Sequence, residues 1–262
     1  NTGELDIKTT YVLPVTIKSV EGIGVLQSAK TYYYVFRGAS LINVVCNISR
    51  NRAYPDFKND SKFNNLTENT MEILFKANSF PNTLNTLMGI ESNYLLRIGD
   101  ATIPNNQLQV ATSVNNCTSA DLQLESGKWY HVAVAFNKGN VKVYINGVEK
   151  LSGSTGKSSV SLGAKHTNEE DGSRCFWVGY SYKDDRYFDG VVSEVRIWNR
   201  ALTAEEIQAT NHFYTIEPES EGLIAYWKFD EGSGTVAKDY SVSGYDLTIE
   251  KEPKWESVSL PQ

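Results

Sequence analysis

The chain is expected to fold as an all-β sandwich of two antiparallel sheets with one short helix and extra strands at the N-terminus, and three observations carry that expectation. Short runs of aromatic and β-branched residues recur along it, separated by turns rich in Gly, Asn and Ser. One stretch, Gly127-Lys-Trp-Tyr-His-Val-Ala-Val-Ala-Phe-Asn-Lys-Gly-Asn-Val-Lys-Val-Tyr-Ile-Asn-Gly-Val-Glu-Lys150, reads as consecutive hairpins with something to bury on both faces. Finally, 262 residues with 40 % hydrophobic, 11 % aromatic and 21 % charged content are enough for a full core and too apolar for a disordered chain.

Taken in order, residues 10–17 and 31–36 are strands joined through Glu21-Gly-Ile-Gly24. Two strands do not fold alone. Either they pack on the later strands, or they close an immunoglobulin-like domain whose earlier strands lie outside this chain. The second expectation divides the chain at 1–38 and 39–262. Residues 71–75 alternate, with Met71, Ile73 and Phe75 on one face, and strands at 87–90, 94–98 and 107–111 follow. In the central stretch Tyr130, Val132, Val134 and Phe136 share one face, and Trp129, His131, Ala133 and Ala135 the other. Val141, Val143 and Ile145 oppose Lys142 and Tyr144, and Asn146-Gly147 supplies the two positive φ values of a primed turn. Residues 151–161 are a Gly- and Ser-rich turn, 165–173 a charged loop, and 175–179 and 191–198 strands. Thr203-Ala-Glu-Glu206 is a capping box opening a helix that runs to about Asn211. Strands at 223–229 and 245–249 end the pattern. Trp129, Trp198 and Trp227 each sit within an alternating strand and are assigned to the core or its border.

A net charge of -6, with no basic run and no zinc-knuckle spacing, argues against a nucleic-acid partner. Cys46, Cys117 and Cys175 are an odd number at wide spacing, so no disulfide framework is written here. There is no apolar run near the roughly 18 residues of a membrane span, and the opening Asn-Thr-Gly-Glu is expected to be a mature or cut end.

Three stretches together resemble the laminin-G-like, concanavalin A-like lectin/glucanase domain of Bacteroidetes surface lipoproteins. They are Lys128 to Phe136 with Val141 to Gly147; Phe188-Asp-Gly-Val-Val-Ser-Glu-Val-Arg-Ile-Trp-Asn-Arg-Ala-Leu-Thr-Ala-Glu-Glu-Ile207; and Gly222-Leu-Ile-Ala-Tyr-Trp-Lys-Phe-Asp-Glu-Gly-Ser-Gly234 with Asp239-Tyr-Ser241. The resemblance implies a jelly-roll sandwich. Tyr11 to Ile17 and Tyr32 to Phe36 look like the closing strands of the immunoglobulin-like domain that precedes such modules. It also implies an outer-membrane surface location, a lipid anchor before processing, and a glycan or polysaccharide partner held near surface proteins of the same glycan-use system.

Enzymes of the laminarinase type on this fold use a Glu-x-Asp-x-x-Glu strand, which places the carboxylates on one face. The nearest match, Glu4-Leu-Asp6, has Thr9 in the last position and lies outside the sandwich. Asp189 and Glu194 are five apart and read as a turn carboxylate and a structural pair. Gly153-Ser-Thr-Gly-Lys-Ser158 is too short between its glycines for a phosphate loop. His131, His166 and His212 lack the partner pattern of a triad, and His131 reads as a packed strand residue. No catalytic constellation is found.

For metal, Asp230, Glu231 and Asp239 on a glycine-bent loop offer the hard oxygens that suit calcium, a cation the family often carries; the alternative is that Asp230 and Asp239 cap turns. For sugar, stacking faces beside planar polar groups are needed. Tyr180-Ser-Tyr-Lys-Asp-Asp-Arg-Tyr187 supplies Tyr180, Tyr182, Lys183, Asp184, Asp185, Arg186 and Tyr187 in one connection, and Asn82, Asn85, Asn93 and Tyr94 are candidates for the same rim. The reading is a non-catalytic surface protein that binds carbohydrate. A structural or adhesion module and a glycoside hydrolase of the same fold are the alternatives.

Overall fold

The computed structural model describes residues 11–17, 31–36, 40–167 and 174–261. Glu4, Asp6 and Thr9, the 21–24 connection, residues 168–173 of the charged loop and the Asp184 side chain lie outside the described part. The chain forms two compact units, Asn1–Asn43 with Ser259–Gln262, and Val44–Val258. In the first, β1 (Tyr11–Thr16) and β2 (Thr31–Phe36) pair antiparallel from Tyr11 opposite Phe36 to Thr16 opposite Thr31.

The sandwich is built in sequence order from β3 (Ile42–Asn47), β4 (Ala53–Pro55), β5 (Glu68–Ala77), β6 (Asn85–Ile90), β7 (Tyr94–Asp100), β8 (Ile103–Thr112), β9 (Trp129–Asn137), β10 (Asn140–Ile145) and β11 (Val148–Ser154). Next come β12 (Trp177–Val178), β13 (Gly190–Trp198), the helix α1 (Ala204–Ile207), β14 (Leu223–Trp227), β15 (Val236–Ala237), β16 (Leu247–Ile249) and β17 (Lys254–Leu260). Among the described residues, one sheet has eight strands in the order β11-β10-β9-β5-β13-β3-β17, with β14 also on β13. The other has seven, in the order β15-β16-β4-β12-β6-β7-β8.

Alternation decides what each face buries. Val132, Val134 and Phe136 of β9, Val141, Val143 and Ile145 of β10, and Met71, Ile73 and Phe75 of β5 meet Leu87, Met88, Leu96, Ile98, Leu108 and Val110 of the other sheet in one core. Ala133, Ala135 and Tyr144 point the other way and join Trp198, Leu202, Ile207, Leu223 and Tyr226 in a second apolar layer, against which Phe213 and Ile216 pack. Residues 201–216 therefore cover the outer face of the eight-stranded sheet. The β10–β11 turn has Asn146 at φ 49 and Gly147 at φ 77, as the primed turn requires.

Several boundaries differ from the sequence expectation. The capping box at Thr203 is present on both sides, but α1 stops at Ile207. Asn211 takes a left-handed φ of 65, which ends any helical continuation and brings His212 and Phe213 onto the sheet. β11 extends through Ser152, Gly153 and Ser154 because β10 offers the edge to pair with. β17 comes after the strand expected to be last.

Candidate functional site

On the seven-stranded sheet Ala53, Val178, Met88, Leu96, Leu108 and Val110 face the core, so Tyr54, Trp177, Arg97 and Gln109 project outward. An aromatic row results. Tyr54 stacks on His166 with centroids 3.7 Å apart, Trp177 stands edge-on to Tyr54 at 5.2 Å and to Tyr180 at 5.1 Å, and Tyr187 lies 4.8 Å from Tyr180. The Arg52 guanidinium sits 5.2 Å over Trp177 and 4.6 Å over Tyr180, and is paired with Glu250. On β7, Arg97 bonds the Gln109 carboxamide through Nε at 2.8 Å.

The 180–187 connection packs against this surface with alternating outcomes. Tyr180 is 2 % exposed, so it supports the site from beneath. Ser181 is buried and bonds Thr86 at 3.1 Å. Tyr182 is half-buried, with Arg186 at 4.8 Å, Arg174 at 4.9 Å and Lys183 at 5.4 Å from its ring. Asp184–Arg186 makes one 3-10 turn, from which Arg186 reaches Glu91 at 2.9 Å; the exposed Asp185 is 3.8 Å away. Asn82 Nδ2 donates to the Tyr187 carbonyl at 2.9 Å and so pins the end of the loop.

The other rim candidates separate. Asn85 is buried and serves Asn82. Tyr94 is a correction: it is 0 % exposed and faces Phe136 across the core, because its register opposite Ile90 points it inward. Asn93 lines a recess of about 470 Å³ with Asn65, Glu91, Ser92, Lys157 and Arg174. Lys157 Nζ donates to Asn93 Oδ1 at 2.9 Å, and burial lowers its pKa. Glu91 and Arg174 join this recess to the Tyr182 ring. Amides, hydroxyls and cations beside a tyrosine face can hydrogen-bond and stack on a polyol. A larger groove, about 650 Å³, runs beside α1 past Lys138, Lys142 and Glu205; its aromatic lining is Tyr144, only 2 % exposed, so it presents little stacking face.

The calcium expectation meets different geometry. Asp239 Oδ1 accepts from the amides of Tyr226 at 3.0 Å and Ser241 at 2.8 Å, and Oδ2 from that of Tyr245 at 2.8 Å. Glu231 accepts from the Lys238 amide at 2.7 Å, and Asp230 is exposed. Both Asp239 oxygens thus serve as turn caps, while Glu231 Oε2 is buried without a hydrogen-bond partner and Asp230 is free to turn toward it. Among the described residues, the group of three ligand atoms lying mutually within 4.8 Å is Glu72, His131 and His212.

That group sits in a buried polar network on the outer face of the eight-stranded sheet. Glu72 Oε2 accepts from Trp198 Nε1 at 2.7 Å, and its Oε1 lies 2.6 Å from His212 Nε2. Arg196 is paired with Glu194 and donates to the His212 carbonyl at 2.6 Å, while the Tyr226 hydroxyl donates to Glu194 at 2.6 Å. Burial disfavours the Glu72 carboxylate, but the two imidazoles outweigh it and hold its pKa well below the usual range. Burial pushes Glu194 up in spite of Arg196. Sequence reading missed this network because Glu72 is 126 residues from Trp198 and 140 from His212. The β5–β9 and β5–β13 ladders bring Glu72 beside His131 and Arg196, and the covering segment adds His212.

Two antiparallel sheets packed face to face, with one outer face covered and the other lined by aromatics and guanidinium groups, define a jelly-roll sandwich. A family model for the Concanavalin A-like lectin/glucanases superfamily matches residues 51–208, and the chain belongs to that family. No curated protein matches it. Among solved structures, a candidate carbohydrate-binding protein from Bacteroides ovatus is 27 % identical with a TM-score of 0.72, covering 97 % of this chain and 70 % of that one. Domain 4 of an extracellular arabinanase from Geobacillus stearothermophilus, in complex with arabinotriose, is 21 % identical with a TM-score of 0.46, covering 65 % of this chain and 76 % of that one. A pentraxin from Limulus polyphemus is 14 % identical with a TM-score of 0.46, covering 66 % and 83 %. Among the described residues no helix is long and apolar enough to cross a membrane.

Proposed function

We propose that this chain is a non-catalytic carbohydrate-binding protein of the cell surface, which captures polysaccharide or host glycan at Tyr182 and the recess beside it. The observation that carries the reading is the half-buried Tyr182 ring set among Arg174, Lys183 and Arg186 and opening onto the polar recess at Glu91 and Asn93. The likeness to the Bacteroides ovatus protein supports it. A non-catalytic role is supported by the state of the carboxylates. Glycoside hydrolysis uses two of them flanking one bond. Here Glu91 is tied to Arg186, and Asp189 accepts hydroxyl bonds from Ser49 and Ser79. The setting that goes with this function is the outer-membrane surface, with the protein lipid-anchored before processing and an immunoglobulin-like segment ahead of the sandwich.

The test is affinity electrophoresis through gels containing plant polysaccharides or mucin glycans, with calcium and again with chelator. The wild-type protein should be retarded by one polymer class, and loss of that retardation in chelator would implicate a calcium ion at Asp230, Glu231 and Asp239. Tyr182→Ala should weaken that interaction by about tenfold or more, as expected for loss of a stacking contact of about 1.4 kcal/mol. Unretarded migration of the wild type in every gel would return the sandwich to a structural or adhesion role.

A further inference from the structure

The Glu72, His131 and His212 group raises two questions that hydrogen bonding alone leaves open. The first is charge. Glu72 and Glu194 are both ionisable and 0 % and 2 % exposed, and they share one buried cation, Arg196. Trp198 and Tyr226 add neutral donors only. The next cation, Lys228, lies over the Tyr226 ring at 5.6 Å, so two acids rely on one directly paired guanidinium in a layer where an unpaired charge is strongly disfavoured. His212 Nε2 stands 2.6 Å from Glu72 Oε1 in that layer.

The second question is His131. The residue is 0 % exposed, Nδ1 has no hydrogen-bond partner, and Nε2 meets no polar group at normal hydrogen-bond geometry. Its Nε2 lies 3.4 Å from Glu72 Oε1, the same oxygen that His212 approaches. Buried polar nitrogens are nearly always bonded. Two imidazoles converging on one carboxylate oxygen, one of them poorly bonded, is the arrangement expected of a metal-ligand set.

We propose that Glu72, His131 and His212 bind one divalent transition-metal ion of the zinc class. Neutral imidazole and carboxylate suit such an ion, and its four-coordinate sites hold ligand atoms about 2.0–2.2 Å from the metal, hence about 3.3 Å from one another. His131 already stands at that spacing from Glu72; His212 needs to withdraw by under about 1 Å. The supporting contacts are in place. Trp198 Nε1 orients the carboxylate at 2.7 Å, and Phe213 stacks on the His131 ring at 4.5 Å. Arg196, 3.7 Å from Glu72 Oε2, is neutralised by Glu194. The ion would leave one net positive charge, which a hydroxide or other small anion in the fourth position cancels. Since His212 belongs to the segment covering the sheet, the ion would fasten that segment to β5 and β9.

Glu72 and His131 are fully buried and His212 is 8 % exposed, so metal is offered while the chain folds. The wild-type protein is therefore produced in zinc-supplemented medium for elemental analysis, and separately refolded with cobalt(II) or with EDTA. About one zinc per chain, ligand-field absorption of four-coordinate cobalt and a Tm above that of the EDTA-refolded protein are expected. His212→Gln should lose the cobalt bands while keeping the wild-type far-UV circular dichroism. Trp198→Phe, which keeps all three ligands, should bind zinc about 10-fold more weakly. A folded wild type holding less than about a tenth of an equivalent by either route would overturn the proposal and leave a buried network of ion pairs and hydrogen bonds alone. Unchanged cobalt bands in His212→Gln would overturn the ligand assignment.

Discussion

The two outer faces of the sandwich both carry charged and aromatic side chains, but they use them differently. On the eight-stranded sheet residues 201–216 lie over Glu72, His131, Glu194 and Arg196, each no more than 2 % exposed. There the acids are set against one guanidinium and two imidazoles, in a medium that strengthens a matched charge and penalises an unmatched one. On the seven-stranded sheet the guanidinium groups of Arg52 and Arg186 rest on tyrosine and tryptophan faces, and Tyr54, Tyr182, Arg186 and Tyr187 remain half-exposed. A face of the first kind holds the fold together. A face of the second kind keeps polar edges within reach of a ligand.

The sharpest way to break this contrast is to remove the buried cation. Arg196→Leu leaves Glu72 and Glu194 buried without their guanidinium, and a loss of about 3–5 kcal/mol is expected in urea denaturation. Glu194 itself sits at φ 50 in the bulge of β13, so the ion pair also holds a strained backbone position. The double variant Arg196→Leu with Glu194→Leu removes both halves of that pair and should recover part of the loss. The corresponding pair on the open face behaves differently. Arg186→Gln breaks the contact with Glu91, whose partners are 20 % and 14 % exposed, and should cost about 1 kcal/mol or less. Its larger effect should be on glycan retardation, since Arg186 also lies against Tyr182. Equal destabilisation by the two arginine variants would remove the distinction between the faces.

Much of the sandwich was legible because period-2 alternation is a local property. The two faces of β9 and β10 fall as the pattern of Tyr130 to Phe136 and Val141 to Ile145 implies. Strand β4 was not, since Ala53–Pro55 is too short to show a period and is defined by its partners, whereas β12, Trp177–Val178, falls inside the strand expected at 175–179. The same limit applies to the site. The run from Tyr180 to Tyr187 announces an aromatic, charged loop, but its composition does not say that Tyr180 turns under Arg52 while Tyr182 turns among cations. The covered network is less legible still, because Glu72, His131 and Arg196 each look ordinary within their own strands.

Asp189 tests the contrast on its mildest term. It lies just before β13, half-buried, and bonded by the hydroxyls of Ser49 at 2.7 Å and Ser79 and by the Asn78 side-chain amide at 3.4 Å. Burial works against its ionisation, but the Ser79, Ser49 and Asn78 donors outweigh it, so its pKa in the folded protein lies below the ordinary 3.8. An acid with a lowered folded pKa contributes stability that is fully present above its unfolded value and is lost as pH falls through the folded one. Asp189→Asn should therefore destabilise the protein at neutral pH, and the gap from wild type should narrow only below the ordinary aspartate range. Urea titrations at a series of pH values measure that gap. A gap that stays constant into strong acid would mean the donors serve the shape of Asp189 rather than its charge, placing it with the packed groups of the covered face.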